Sequence, residues 1–352
     1  MVNKSPFISV LLPCYNAEKF IKKCIWSILK QTYSNFELIV SDDCSKDNTI
    51  KIVKELVKYD NRIRLLTSDK NQGIAFQRKK LISESKGEYF IFIDADDLFA
   101  KKILEKLIKP IVKNGIDYDF ITCKSVFRFQ NKKEKVIIKA PIFYNNLILP
   151  HSKSNKFKFI RNNLTVTIWG CLIRKEYFTS LDFNFSDFRN FEDVGCTIIL
   201  VLKAKHFYAV NYYGYYYVKN KTHNNISSLE HFSYKNINDF VWQITKIIEY
   251  LVKEGYFFNK KYFKTIQLWF YPLFVYLAFI EKRTLKNIDS KEDKNKIKIF
   301  FTKKRMEMLY IIFYKYHAWF FPGFYGSWWK FFASLVTSSY FTKELKYIKK
   351  WK

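Results

Sequence analysis

The chain of 352 residues is short of acidic groups and has no paired cysteines. Its six cysteines, Cys14, Cys24, Cys44, Cys123, Cys171 and Cys196, form no CxxC pair, and no histidine lies beside one at metal-ligand spacing. That excludes the common zinc modules. With no secretion signal in view, the thiols are expected to be reduced, as in a cytosolic protein. The first apolar run, Phe7 to Leu12, is too short for the core of a signal peptide and is stopped by Pro13. No run is apolar and long enough to be a membrane span. The nearest, His317 to Phe341, is interrupted by Pro322, Gly323, Gly326 and Lys330. There is no internal repeat and no RNP, helix-turn-helix or zinc pattern to support nucleic-acid binding.

Basic and aromatic residues are abundant: 61 Lys and Arg face 32 Asp and Glu, a net charge of +29, and aromatics make up 20%. Such a charge biases the chain toward anionic partners: nucleotides, nucleic acid or an anionic membrane face. Hydrophobic residues, at 49%, suffice for a sizeable core.

Over the first 125 or so residues, short apolar runs alternate with helical periods. The runs are Ile8–Leu12, Phe36–Val40, Ile63–Leu66, Tyr89–Ile93 and Phe120–Thr122. They lack clean alternation, as strands buried on both faces of a parallel sheet do. Helical faces are marked by Phe20 to Leu29, with Asn16 as an N-cap, by Ile52 to Val57, by Ile74 to Ile82 and by Ile103 to Ile108. This order predicts an open α/β sheet with right-handed crossovers and ligands at the carboxyl ends of the strands. Further on, Phe127 to Lys139 reads as a loop or edge hairpin, and Thr165–Ile173 and His206–Val218 as strand regions. Val194–Leu202 reads as a helix. From about residue 228 the chain turns helical, with a charged linker near Lys282–Lys298.

Polar clusters follow the apolar runs. Tyr15, after Pro13, could stack on a nucleobase or simply belong to a turn. Asp42 and Asp43 could accept from a uracil or a ribose hydroxyl, or cap a helix. Arg78 could meet a diphosphate or buttress an acidic cluster. That cluster is Asp94-Ala95-Asp96-Asp97, set at the mouth of an apolar strand. Three carboxylates so close repel one another, and Mg²⁺ or Mn²⁺ shared with a substrate diphosphate relieves that cost. Glu192-Asp193 opens a helix, where a carboxylate stays ionised and could act as a general base.

The ordered set Ser9 to Asn16, Ser27 to Thr32, Glu37 to Ser45, Asn71-Gln72-Gly73 and Gly87 to Asp97 resembles glycosyltransferase family 2 over roughly residues 6–228. The resemblance implies a GT-A fold, with a mostly parallel, Rossmann-like open sheet, and inverting transfer from a UDP-sugar. It gives Tyr15 the base and Asp43 the uracil, and places Pro13, Asp42, Arg78, Asp94 and Ala95 around the nucleotide. Asp96 or Asp97 would hold Mn²⁺ or Mg²⁺. Asp193 would be the catalytic base with Glu192 its partner, Trp169 an acceptor-side aromatic, and Lys219 and His223 diphosphate contacts. Two departures stand out: Cys44 replaces a usual glycine, and Cys171 a frequent lysine.

The expected organisation is a catalytic domain over 1–228, divided near 125 into nucleotide and acceptor parts, and a helical region over 229–352. The aromatics from Trp319 to Phe332 and the lysines from Lys343 to Lys352 suit an anionic membrane interface. The expectation is a hexosyltransferase, peripheral on the inner face of the cell membrane, acting on a glycan or lipid-linked acceptor in bacterial capsule or lipo-oligosaccharide synthesis. Nucleic acid is not an expected partner. A basic nucleic-acid-binding protein and a non-catalytic scaffold on the same fold are the competing readings. Intact Asp94, Asp96 and Asp193 oppose the scaffold.

Overall fold

The structure, a computed structural model, describes residues 5–130, 136–137, 147–149, 167–181, 192–220, 234–256, 281–282, 284–286, 288 and 290–310. Two compact units divide the chain, Met1–His231 and Phe232–Lys352.

In the first unit, β1 (Ile8–Cys14), β2 (Phe36–Asp42), β3 (Ile63–Thr67) and β4 (Tyr89–Phe92) alternate with α1 (Ile21–Leu29), α2 (Thr49–Tyr59) and α3 (Ile74–Glu84). After β4 come β5 (Leu98–Phe99), α4 (Ile103–Asn114), β6 (Phe120–Gln130), β7 (Val136–Ile137), β8 (Leu147–Leu149), β9 (Cys171–Arg174), α5 (Lys175–Ser180), α6 (Glu192–Lys203) and β10 (Phe207–Asn220).

Every residue of β1 is buried, because β1 runs parallel between β2 and β4 with α3 packed over it. This accounts for its unbroken apolar run. The sheet order is β3-β2-β1-β4-β9-β6-β10-β5. The first four strands are parallel, as expected, whereas β9 runs antiparallel to both β4 and β6. The whole sheet is therefore mixed, parallel in the half that carries the acidic turn. Within the Phe127 to Lys139 region, β6 and β7 pair antiparallel, with Phe127 opposite Ile137 and Arg128 opposite Val136.

Two local expectations are corrected. Asn16 does not cap α1, whose N-cap position is Phe20, with no side-chain cap bond. Asn16 instead has φ 47°, and its side-chain oxygen accepts the Lys46 N–H at 2.8 Å, stitching the β1 loop to the β2 loop. In the second unit, the supposed charged linker near Lys282–Lys298 runs into helix α8 (Lys291–Tyr310), which accompanies α7 (Tyr234–Lys253). Its charges pair along the helix, Lys296 with Glu292 at 2.8 Å, while Ile297 and Phe301 are buried. Among the described residues no helix is long and apolar enough to cross a membrane.

Candidate active site

The carboxyl ends of β1, β2 and β4 lie side by side, because β1 pairs Cys14 with Asp42 on one flank and Leu11 with Phe92 on the other. Pro13, Tyr15, Asp42, Asp43, Asp94, Ala95, Asp96 and Asp97 are thereby gathered at one end of the sheet. Tyr15 is 45% exposed, so its ring is presented rather than packed. Cys44 has φ 63°, a left-handed conformation that glycine adopts freely and a cysteine does not. The departure from glycine is thus tolerated with backbone strain.

The two aspartates after β2 have distinct surroundings. Asp42 is fully buried and accepts the Ser45 N–H at 2.8 Å as well as the Ser45 hydroxyl. These bonds shape the turn that follows β2. Asp43 Oδ1 accepts from the Gln72 N–H at 2.8 Å and the Gln77 amide at 2.6 Å, while Oδ2 accepts the Gly73 N–H at 2.8 Å. A carboxylate has about four acceptor positions, so Oδ2 keeps one beyond these bonds. Gln77 is a site residue that the sequence reading missed. It is buried, and its carbonyl also accepts from Ser41 at 2.6 Å. The signal was available: α3 turns Gln77 and Arg78 inward beside Leu81 and Ile82.

In the acidic turn, Asp94, Ala95 and Asp96 are half-buried and Asp97 is fully buried. Arg78, only 1% exposed, reaches Asp94 at 3.2 Å and lies over the Phe92 ring. It is the counter-ion of the turn. Asp97 faces the other way: its Oδ2 accepts from the Tyr215 hydroxyl at 2.6 Å and its Oδ1 from the Val218 N–H at 2.8 Å. Burial first, then repulsion from Asp96 and Asp94, pushes the Asp97 carboxyl well above the usual carboxylate range, although its two hydrogen bonds pull it down. The sequence reading gave the metal to Asp96 or Asp97. Asp97 is fully buried, with each oxygen accepting one hydrogen bond within the protein, whereas Asp96 is only half-buried.

Trp169 bridges Phe92 in parallel, beside the turn, and stacks on Tyr215 at 4.2 Å. Cys171 is enclosed, its thiol near Thr122 and the Thr167 carbonyl, so no phosphate contact arises there. Glu192 and Asp193 form the first turn of α6. Lys219 follows Val218 on β10, one residue beyond the backbone N–H that binds Asp97. His223 lies outside the described residues.

Among the described residues no three His, Cys, Asp or Glu side chains are grouped to hold a metal ion by themselves. The half-buried Asp96 carboxylate offers the kind of oxygen donor that a hard divalent ion takes.

A parallel four-stranded half with carboxylates at its strand ends, joined through the antiparallel β9 to the rest of a mixed sheet, is the GT-A arrangement. Crystal structures of Staphylococcus aureus TarS 1–349 share this fold: the complex with UDP-GlcNAc aligns with TM-score 0.54 and 19% identity, covering 86% of this chain and 90% of that one. The complex with UDP gives TM-score 0.52, also at 19% identity, over 88% and 91%. Residues 9–181 match the Glycosyl transferase family 2 profile, and the chain belongs to that family through this domain.

Relatives share this part of the chain. UDP-Glc:alpha-D-GlcNAc-diphosphoundecaprenol beta-1,3-glucosyltransferase WfgD of Escherichia coli is 37% identical over 146 residues, 40% of this chain and 54% of that protein. The processive diacylglycerol beta-glycosyltransferase of Mycoplasma genitalium is 31% identical over 195 residues, 53% and 56%. Glycosyltransferase GlyG of Streptococcus pneumoniae serotype 4 is 30% identical over 195 residues, 54% and 63%. The chain thus spans between 54% and 63% of the length of these relatives.

Proposed function

We propose that the protein transfers a sugar from a UDP-sugar to a hydroxyl of a glycan or lipid-linked acceptor, with inversion, in building a bacterial surface polysaccharide such as a capsule or lipo-oligosaccharide. The observation that carries this reading is the half-buried turn Asp94-Ala95-Asp96, held by the buried Arg78 at the carboxyl end of β4, the strand neighbouring β1, after which the exposed Tyr15 follows. Relatives named for transfer to a diphosphoundecaprenol-linked sugar and to diacylglycerol support the acceptor class.

In this reading Tyr15 stacks on the uracil and the remaining acceptor position of Asp43 takes its N3–H. Asp96 holds Mn²⁺ or Mg²⁺, which when bound neutralises charge on the departing diphosphate. Lys219 and His223 meet the diphosphate oxygens, and Trp169 flanks the acceptor. Asp193, ionised at a helix start with Glu192 beside it, takes the proton of the acceptor hydroxyl. The acceptor oxygen bonds to the anomeric carbon as the bond to the diphosphate breaks, and UDP leaves with that electron pair. No covalent intermediate is required.

Calorimetry of UDP with Mn²⁺ and again with EDTA tests the donor and metal assignment. Affinity should be about tenfold or more higher with Mn²⁺, as for a charge-assisted contact. Mn²⁺ alone should bind weakly, since Asp97 is engaged elsewhere. Equal UDP affinity in EDTA defeats the metal role.

The aromatic and basic tail suits the inner face of the cell membrane, with each Lys near an anionic surface contributing about 1 kcal/mol. A cut at residue 298 would split α8 and remove the buried Phe301, so the informative deletion is 311–352. The full chain should co-float with vesicles of anionic phospholipid and the deletion should not. Co-flotation of both refutes the interfacial tail.

A further inference from the structure

Three polar atoms meet beneath the acidic turn, away from Arg78. The single hydroxyl proton of Tyr215 goes to Asp97 Oδ2 at 2.6 Å, and its oxygen accepts the Asp94 N–H at 3.2 Å. Asp97 Oδ1 takes the Val218 N–H at 2.8 Å. One tyrosine thus grips both ends of the Asp94–Asp97 turn, and the turn is tied twice to β10. Both side chains are fully buried, so each bond lacks competition from water.

The surroundings keep this ring where it is. Trp169 stacks on it at 4.2 Å, and Phe99 meets it edge-on at 5.9 Å. Gly170, at φ 70°, leaves room for it, since a Cβ there would come within 3.0 Å of the ring. Before it, β10 shifts register between Val210 and Tyr215. Gly214 lets the strand pass at that shift, as a Cβ there would stand 2.7 Å from Ile103 and 2.8 Å from the Cys123 sulfur. An irregular strand, two glycines and an aromatic stack all serve to aim one hydroxyl at the turn.

We propose that Tyr215, acting through Asp97, is a positioning residue that sets the acidic turn so that Asp96 faces the donor diphosphate. This rests on the UDP-sugar reading above and adds to it a residue that touches neither donor nor acceptor. A buried carboxylate that takes no part in binding then has a purpose, because it is the anchor of the turn. The action is confined to the diphosphate end, since Tyr15 and Asp43 are fixed by the separate loops after β1 and β2.

Tyr215→Phe removes one oxygen and keeps the ring. With Mn²⁺ present, UDP affinity should fall about tenfold or more, the size expected for a lost hydrogen bond to a charged group. Uridine affinity, measured by competition, should stay at the wild-type value, and kcat should fall while the melting curve remains cooperative. Equal loss for UDP and uridine would mean a merely structural residue and overturns the proposal, as does wild-type UDP affinity and kcat. Should Tyr215→Phe fail to fold, Asp97→Asn, of nearly the same volume, carries the test. It should show the same selective loss for UDP, and an unchanged UDP-to-uridine ratio overturns the proposal. A wild-type protein that does not bind UDP strikes the donor reading itself, and this inference falls with it. A wild-type protein that binds while the variants match it strikes the positioning role alone.

Discussion

Replacing Asp193 by Asn should lower transfer by about two to four orders of magnitude, the usual contribution of a general base. UDP affinity should stay within about twofold, well under the tenfold that 1.4 kcal/mol represents. The reasoning begins with the backbone. Glu192 and Asp193 form the first turn of α6, where the helix dipole favours a negative charge. A carboxylate held ionised there can take a proton as the acceptor oxygen attacks. Asn has the same shape and cannot. Nothing in the donor assignment depends on α6, so ground-state binding of UDP should persist. Initial rates with a competent acceptor, set beside calorimetry of UDP, separate the two effects. Turnover retained in Asp193→Asn would remove this residue from the base role.

Arg78→Met should destabilise the first unit by about 3 kcal/mol, the low end for removing one member of a buried ion pair. The low end applies because the Asp94 side chain is 27% exposed and water can solvate part of the charge left behind. Met preserves most of the length and the contact with Phe92, so the loss reports mainly on charge. With Arg78 gone, the turn loses the buried cation that reaches Asp94. Added Mn²⁺ should then raise the urea midpoint of the variant more than that of the wild type. If the two proteins unfold at the same midpoint without metal, Arg78 is not what allows this turn to fold.

Much of this was legible in the sequence where the pattern was local. β1, β2 and β4 are buried on both faces, so their apolar runs announced them, and the polar residues that follow marked the site. Arg78 was read as either a diphosphate contact or a buttress of the cluster, and in the structure it reaches Asp94. What failed was whatever depended on a distant partner. A sequence shows a carboxylate but not what it accepts from. Hence the bonds of Asp42 with Ser45, and of Asp97 with Tyr215 and Val218, were not foreseen. Tyr215 is hidden in the run Tyr212 to Tyr217, where no local feature sets it apart. Asn16 fits the cap pattern, yet its side chain serves the neighbouring loop. The segment Lys282–Lys298 looked like a linker because its polarity hid a buried position of α8, Ile297.

The position of β9 bears on how this chain comes together. β4 is the last of the parallel strands, and its open flank is closed by β9, which follows α4, β6, β7 and β8 in the chain. A ribosome delivers the donor half long before the strand that covers it. During that interval β4 offers a bare row of N–H and C=O groups, the kind of edge that recruits stray strands. Closing the gap then needs a contact between remote segments, which is slow compared with forming the βα units themselves. The seam between β4 and β9, in the middle of the sheet, is thus sewn late. Truncation before β9 would yield not a smaller nucleotide-binding domain but an unfinished one, prone to aggregate.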